Sequence, residues 1–237
     1  MKLVVGNQKN YLTKEKVLDF IKGLGNIKND NVVICPSSLY VSYFENVGVL
    51  LGGQNVSCYD SGANTGELSS EQLKSIGLNF CIVGHSERRQ NQKETILDTN
   101  IKVRKLLDEG IVPILCVGET KEEKEYGKTQ DILFEEIDGV FDELLISSMS
   151  KIIIAYEPIW SIGTGVTPTN DEINEIATNI REYLNKKYNS DNLILYGGSV
   201  NLNNVEELNK IKAIDGYLIG GASTKVNEFL QIIDKCQ

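Results

Sequence analysis

The feature that most constrains this chain is a series of short aliphatic and β-branched runs recurring along its whole length. They are Leu3-Val4-Val5, Val32-Val33-Ile34, the weaker Val49-Leu50-Leu51, Phe80-Cys81-Ile82-Val83, Val112-Pro113-Ile114-Leu115, Ile152-Ile153-Ile154-Ala155, Leu193-Ile194-Leu195-Tyr196 and Gly216-Tyr217-Leu218-Ile219. Most are apolar throughout, the pattern of strands covered on both faces. Helical periodicities lie between them, at Val17, Phe20, Ile21 and Leu24, at Leu133, Ile137, Val140, Phe141 and Leu144, and at Ile173, Ile176, Ala177, Ile180 and Leu184. Ser69 with Gln72, and Thr169 with Glu172, have capping-box spacing at helix starts.

These patterns make roughly eight strand–helix units, the number that closes a parallel barrel. Alternation alone suits an open doubly wound α/β sheet equally well. No Pro/Ser-rich linker interrupts the series, so residues 1–237 read as one domain.

Charge narrows the function. With 24 Lys and Arg against 33 Asp and Glu, the net charge is −9, which argues against non-specific nucleic-acid binding. A small anionic ligand remains possible, because a local site can be positive within an acidic protein. The five cysteines are widely spaced with no CxxC pair, so neither a disulfide framework nor a zinc cluster is expected. Cys35, Cys81 and Cys116 sit in or beside apolar runs and read as buried free thiols. The opening MKLVVGNQKN is too short an apolar run for a signal peptide, and no stretch reaches membrane-spanning length. The expectation is a cytoplasmic protein without a membrane partner.

In a parallel barrel the residues that follow each strand share one end. Here they are Asn7-Gln8-Lys9, Gly84-His85-Ser86-Glu87-Arg88-Arg89, Tyr156-Glu157-Pro158, Gly197-Gly198-Ser199 and Gly220-Gly221. An amine, an imidazole, a carboxylate and glycine turns therefore fit one pocket. Glycine permits close backbone approach, and N–H groups at a helix N-terminus bind phosphate without a cation. Gly163-Thr164-Gly165, Gly197-Gly198-Ser199 and Gly220-Gly221-Ala222-Ser223 each stand before an expected helix, although any glycine pair alone also reads as a plain turn. His85 is the sole histidine, which excludes a multi-histidine metal site. At the start of a short helix its ring is held neutral. Glu157, desolvated at a buried strand end, suits a general base. Each of the three has an ordinary structural reading alone: a strand-end hydrogen-bonder, a rim ion pair, a solvated lysine. Their coincidence at strand ends favours chemistry.

Five segments then resemble triosephosphate isomerases: 80–89 (FCIVGHSERR), 116–120 (CVGET), 155–165 (AYEPIWSIGTG), 196–200 (YGGSV) and 215–223 (DGYLIGGAS). The match runs from Gly6 to Ser223 in the family's order. The resemblance implies a single (β/α)8 barrel that interconverts dihydroxyacetone phosphate and D-glyceraldehyde 3-phosphate in glycolysis and gluconeogenesis. It implies that Glu157 moves the proton between adjacent carbons, neutral His85 polarises the carbonyl, Lys9 offsets charge and Asn7 adds a hydrogen bond. A neutral histidine beside a glutamate base is a known property of that family rather than a deduction from these residues. Ser86 would hold Glu157 at rest and Glu87 would support Lys9. Gly163, Ser199, Gly220 and Gly221 would bind the phosphate, and Pro158 to Thr169 would close as a lid. No cofactor or metal is implied. Residues 62–67 resemble an interface loop of a homodimer, with Thr65 reaching the partner's Asn7 and Glu67 its Arg88.

There are departures from the family pattern. Gln8, Asn10 and Asn64 replace residues that are usually apolar near the subunit contact, which bears on dimer strength. Ser161 replaces an alanine, and Val166 and Pro168 alter the lid hinge, which bears on lid motion. Two rival readings remain, a Schiff-base aldolase using Lys9 and a barrel scaffold without turnover.

Overall fold

In a computed structural model that describes residues 1–162 and 167–237, the eight runs are eight parallel strands in a closed ring. They are β1 (Leu3–Asn7), β2 (Lys28–Cys35), β3 (Gly48–Gly53), β4 (Phe80–Val83), β5 (Val112–Val117), β6 (Ile153–Tyr156), β7 (Ile194–Tyr196) and β8 (Gly216–Ile219). Each pairs with its sequence neighbours, and β8 returns to β1 through pairs such as Val4 with Tyr217. That closure decides for the barrel over the open sheet.

Around it run α1 (Lys14–Leu24), α2 (Ser70–Ser75), α3 (Ser86–Gln92), α4 (Ile96–Asp108), α5 (Lys121–Glu125), α6 (Thr129–Phe141), α7 (Ile146–Met149), α8 (Asn170–Tyr188), α9 (Val205–Leu208) and α10 (Val226–Lys235). Successive strand side chains point to opposite faces. Val5, Val33, Ile114, Leu195 and Leu218 accordingly fill the barrel, while Val4, Val32, Leu115, Ile194 and Ile219 pack beneath the helices. Both faces are dry, so both positions of each dipeptide must be apolar. Each such side chain contributes about 1.5–3 kcal/mol on leaving water.

The helices bury the stripes their periodicity marks: Val17, Phe20 and Leu24 on α1, and Ile173, Ala177, Ile180 and Leu184 on α8. The capping boxes at Ser69 and Thr169 make both reciprocal hydrogen bonds. Thr95 with Asp98 and Thr120 with Glu123 start α4 and α5 in the same way. Two expectations need correction. α6 stops at Phe141, because Asp142 turns to extended geometry (ψ 130), so Leu144 packs on the core from outside the helix. Gly197-Gly198-Ser199 does not open directly into a helix, since α9 begins only at Val205. After β8, Gly221–Thr224 makes a 3-10 turn before α10. Among the described residues no helix is long and apolar enough to cross a membrane.

Candidate active site

The parallel ring delivers every strand's C-terminal end to one rim, where the candidate residues meet. β1 ends in Asn7, and the turn beyond it puts Lys9 at φ 50, a left-handed conformation that costs a non-glycine residue about 1–2 kcal/mol. Several contacts hold it there. The Lys9 N–H donates to Asn7 Oδ1 at 3.2 Å, and Gln54 Nε2 donates to the carbonyls of Lys9 at 2.8 Å and Cys35 at 2.9 Å. Lys9 Nζ pairs with Glu87 Oε1 at 2.5 Å. Gln8 is buried within the chain, donating from Nε2 to the Ser223 carbonyl at 3.3 Å, and so joins the turn after β1 to the turn after β8.

His85 caps the N-terminus of α3, and its Nδ1 accepts the Glu87 N–H at 3.2 Å. A nitrogen that accepts a hydrogen bond carries no proton, so this bond leaves Nε2 as the ring nitrogen that faces Glu157 with a proton to donate. That Nε2 lies 3.3 Å from Glu157 Oε1. The Ser86 backbone N–H donates to Glu157 Oε2 at 3.4 Å. Glu157 is only 2% exposed, and these contacts fix the direction of its carboxylate.

The backbone of Glu157 threads between two glycines. A Cβ on Gly118 would fall 1.8 Å from the Glu157 carbonyl oxygen, and one on Gly197 would fall 2.7 Å from its Cγ. The Glu157 N–H donates to the Val117 carbonyl at 2.8 Å. Burial first, then the charge of Glu157 and a hydrogen bond to it, push the Cys116 thiol well above its ordinary range. Cys116 is thus a neutral thiol backing the carboxylate. Behind it, Glu119 Oε1 accepts from Trp160 Nε1 at 2.8 Å and from the Tyr156 hydroxyl at 3.2 Å. Burial raises the Glu119 carboxyl despite both donors.

Asn7, Lys9, His85 and Glu157 share a cavity of about 340 Å³ with Ser199, Gly220 and Gly221. Ser199 Oγ donates to the Ser161 carbonyl at 3.0 Å, tying the turn after β7 to the segment after β6. Gly163 and Val166 lie outside the described residues. The cavity lining combines polar glycine turns with an amine, an imidazole and a carboxylate, which suits an anion attached to a small carbonyl compound. Among the described residues no group of three or more His, Cys, Asp or Glu is placed to hold a metal.

Thr65 and Glu67 are exposed on the 62–67 loop, which is braced by hydrogen bonds from Asn64 N–H to the Gly62 carbonyl and from Glu67 N–H to the Asn64 carbonyl. Arg88 is engaged within its own chain, donating to Glu94 Oε2 at 2.5 Å. A groove of about 910 Å³, lined by Lys9, Tyr11, Gln54, Glu67, His85 and Arg88 among others, runs beside the cavity.

Residue-by-residue reasoning missed Gln54, Cys116 and Glu119. Gln54 follows the weak third strand directly, so the strand-end rule was signal enough. Cys116 and Glu119 stand in a quoted motif, but neither has a local pattern that reveals its partner.

The triosephosphate isomerase family profile matches residues 2–236. The triosephosphate isomerase of Buchnera aphidicola subsp. Cinara cedri is 43% identical over 246 residues, covering 98% of this chain and 97% of its own. Those of Mycoplasmopsis pulmonis, at 40% identity with 98% and 96% covered, and Francisella philomiragia, at 36% with 99% and 96%, are similar throughout. With the closed eightfold barrel and a match over almost its whole length, the chain belongs to the triosephosphate isomerase family.

Proposed function

We propose that the chain interconverts dihydroxyacetone phosphate and D-glyceraldehyde 3-phosphate, with Glu157 as the base. The carrying observation is His85 Nε2 set 3.3 Å from Glu157 Oε1 in a cavity that also holds Lys9. Glu157 takes a proton from the carbon beside the carbonyl and returns it to the neighbouring carbon. Meanwhile His85 Nε2–H polarises the carbonyl oxygen and passes a proton between the two oxygens of the enediolate. Lys9 Nζ offsets the oxyanion charge and Asn7 adds a hydrogen bond. Preorganised dipoles of this kind act strongly where water is excluded. Ser199, Gly220 and Gly221, with Gly163, bind the phosphate, while Ser86 and Glu87 hold Glu157 and Lys9 in place. The Lys9–Glu87 ion pair speaks against a Schiff-base aldolase, because a paired ammonium has no lone pair to attack a carbonyl.

The same reading takes 1–237 as one domain in the cytoplasm, acting in glycolysis and gluconeogenesis as a homodimer. The exposed, internally braced loop around Thr65 and the adjoining 910 Å³ groove support the dimer, with Thr65 beside the partner subunit's Asn7 and Glu67 beside the partner's Arg88.

A coupled assay with glyceraldehyde 3-phosphate tests the activity, and Glu157→Gln should lower kcat by about 10² to 10⁴, the scale of a lost general base. A near-normal rate in that variant would mean the base is another group. Sedimentation over a wide dilution range should give twice the chain mass of 26.3 kDa. A monomer at micromolar concentration with full activity would reject the dimer.

A further inference from the structure

Arg89 and Glu136 lie outside the cavity, yet they join the two strand ends on which its acid–base groups are built. Arg89, on α3, donates in three directions: Nε to the Gly84 carbonyl at 2.7 Å, Nη2 to the Cys116 carbonyl at 3.0 Å, and Nη1 to Glu136 Oε1 at 2.7 Å. Glu136 comes from α6, and its Oε2 accepts the Gly118 N–H at 3.0 Å. The planar guanidinium supplies such donors at fixed angles. One ion pair therefore ties the end of β4, one residue before His85, to the end of β5, where Cys116 and Gly118 back Glu157. The fit at Gly84 is tight: its φ is +67, and a Cβ there would fall 2.9 Å from Arg89 Nη2.

We propose that Glu136 is a positioning residue for the isomerisation, its carboxylate acting through Arg89 and the Gly118 N–H to set His85 against Glu157, and that loss of its charge loosens this geometry. An ionised carboxylate accepts at both oxygens, whereas a protonated one turns one oxygen into a donor. The protonated oxygen keeps only weak acceptor capacity and the charge is gone, so its tie to Arg89 or Gly118 weakens. Burial pushes the Glu136 carboxyl up to about 7, and the charges of Glu123 on α5 and Glu157 after β6 push the same way, against the pull of Arg89 and the Gly118 N–H. The Cys116 thiol beside it on β5 stays neutral through this range. The ties are thus complete above about pH 7 and weaken as pH falls through it.

Stability moves with the opposite sign. A folded value raised above the ordinary carboxylate range favours the fold below that range, and this contribution is lost as pH rises through 7. A purely structural Glu136 would therefore not lower turnover on acidification.

The test rests on the isomerase activity and reads kcat at saturating dihydroxyacetone phosphate from pH 5.5 to 9, for the wild type and Glu136→Gln, with KM and Tm alongside. kcat is the quantity to follow, because a phosphate monoester titrates near pH 6 and distorts kcat/KM. The wild type should lose about three- to ten-fold in kcat through pH 7, the scale of one lost hydrogen bond, with KM steady within about two-fold. Glu136→Gln has one acceptor at every pH, so its kcat should stay near the wild type's acid plateau without that inflection. A variant that keeps the inflection, or keeps the high-pH kcat, overturns the proposal. Should Glu136→Gln fail to fold, Arg89→Lys decides: it keeps a cation beside Glu136 but cannot also reach Gly84 and Cys116. Its kcat should fall at every pH with KM unchanged, and a wild-type kcat in folded Arg89→Lys overturns the proposal. An inactive wild-type chain would overturn the activity as well, whereas an unaltered pH profile in an active variant rejects only the role of Glu136.

Discussion

Replacing Gly118 with alanine puts one methyl group where the backbone of Glu157 already lies. The new Cβ would sit 1.8 Å from the Glu157 carbonyl oxygen and 2.7 Å from its carbonyl carbon, against at least 3.4 Å for ordinary contact. Something must retreat by about 1.6 Å, and the neighbour is main chain, which no rotamer change can move aside. Glu157 is tied to the Val117 carbonyl and flanked by Gly197, so the shift passes to its carboxylate, 3.3 Å from His85. A misplacement of about 1 Å at reacting groups costs on the order of 10² in rate. Overpacking costs about 1–3 kcal/mol, which for a chain of this length lowers Tm by roughly 2–12 °C. The measurement is kcat in the coupled assay on protein shown folded by circular dichroism, with a thermal melt beside it. Gly25→Ala is the control: Gly25 has φ +62 with nothing within 4 Å, so alanine there is strained but remote from the site, and kcat should not change. A folded Gly118→Ala variant with kcat within about three-fold of wild type would refute the reasoning.

Two further outcomes follow from buried groups away from the cavity. Lys102 and Arg88 both donate to Glu94 Oε2 at 2.5 Å, so Lys102→Met leaves a buried carboxylate one partner short, costing about 1–3 kcal/mol or roughly 2–12 °C in Tm. Burial pushes Glu94 up, but the hydrogen bonds and charges of Lys102 and Arg88 outweigh it and hold the carboxyl below its ordinary 4.5. Its contribution is present above that value and lost as pH falls below it, so the variant's deficit should be full at pH 7 and shrink in acid; a deficit that grows on acidification would contradict this. Burial also pushes Cys81 up to about 12 and Cys236 up to about 11, and raises Cys35, Cys116 and the half-buried Cys58, the one cysteine of the five that is not buried. At pH 8 a thiol reagent should modify at most one of the five quickly, and all five after denaturation; two fast thiols in the folded chain would overturn that burial.

Much of the fold is legible because its determinants are local. Continuous runs such as Ile152–Ala155 mark strands dry on both faces, and the three helical stripes mark which side each helix buries. The boxes at Ser69 and Thr169 close within four residues, so spacing alone reveals them. Where local pattern overran, as at Leu144, a single extended residue ended a helix that periodicity would have continued.

The sequence by itself determined the alternation of strand and helix, the strand-end location of Lys9, His85 and Glu157, and, through five motifs, the family. Tertiary structure alone decided that β8 closes on β1, that Gln54 holds the Lys9 turn, and that Arg89 and Glu136 join β4 to β5. The physical reason is range. Periodicity and capping are set by neighbours a few residues apart. A hydrogen bond between groups far apart in the chain exists only once every strand has delivered its end to the same rim.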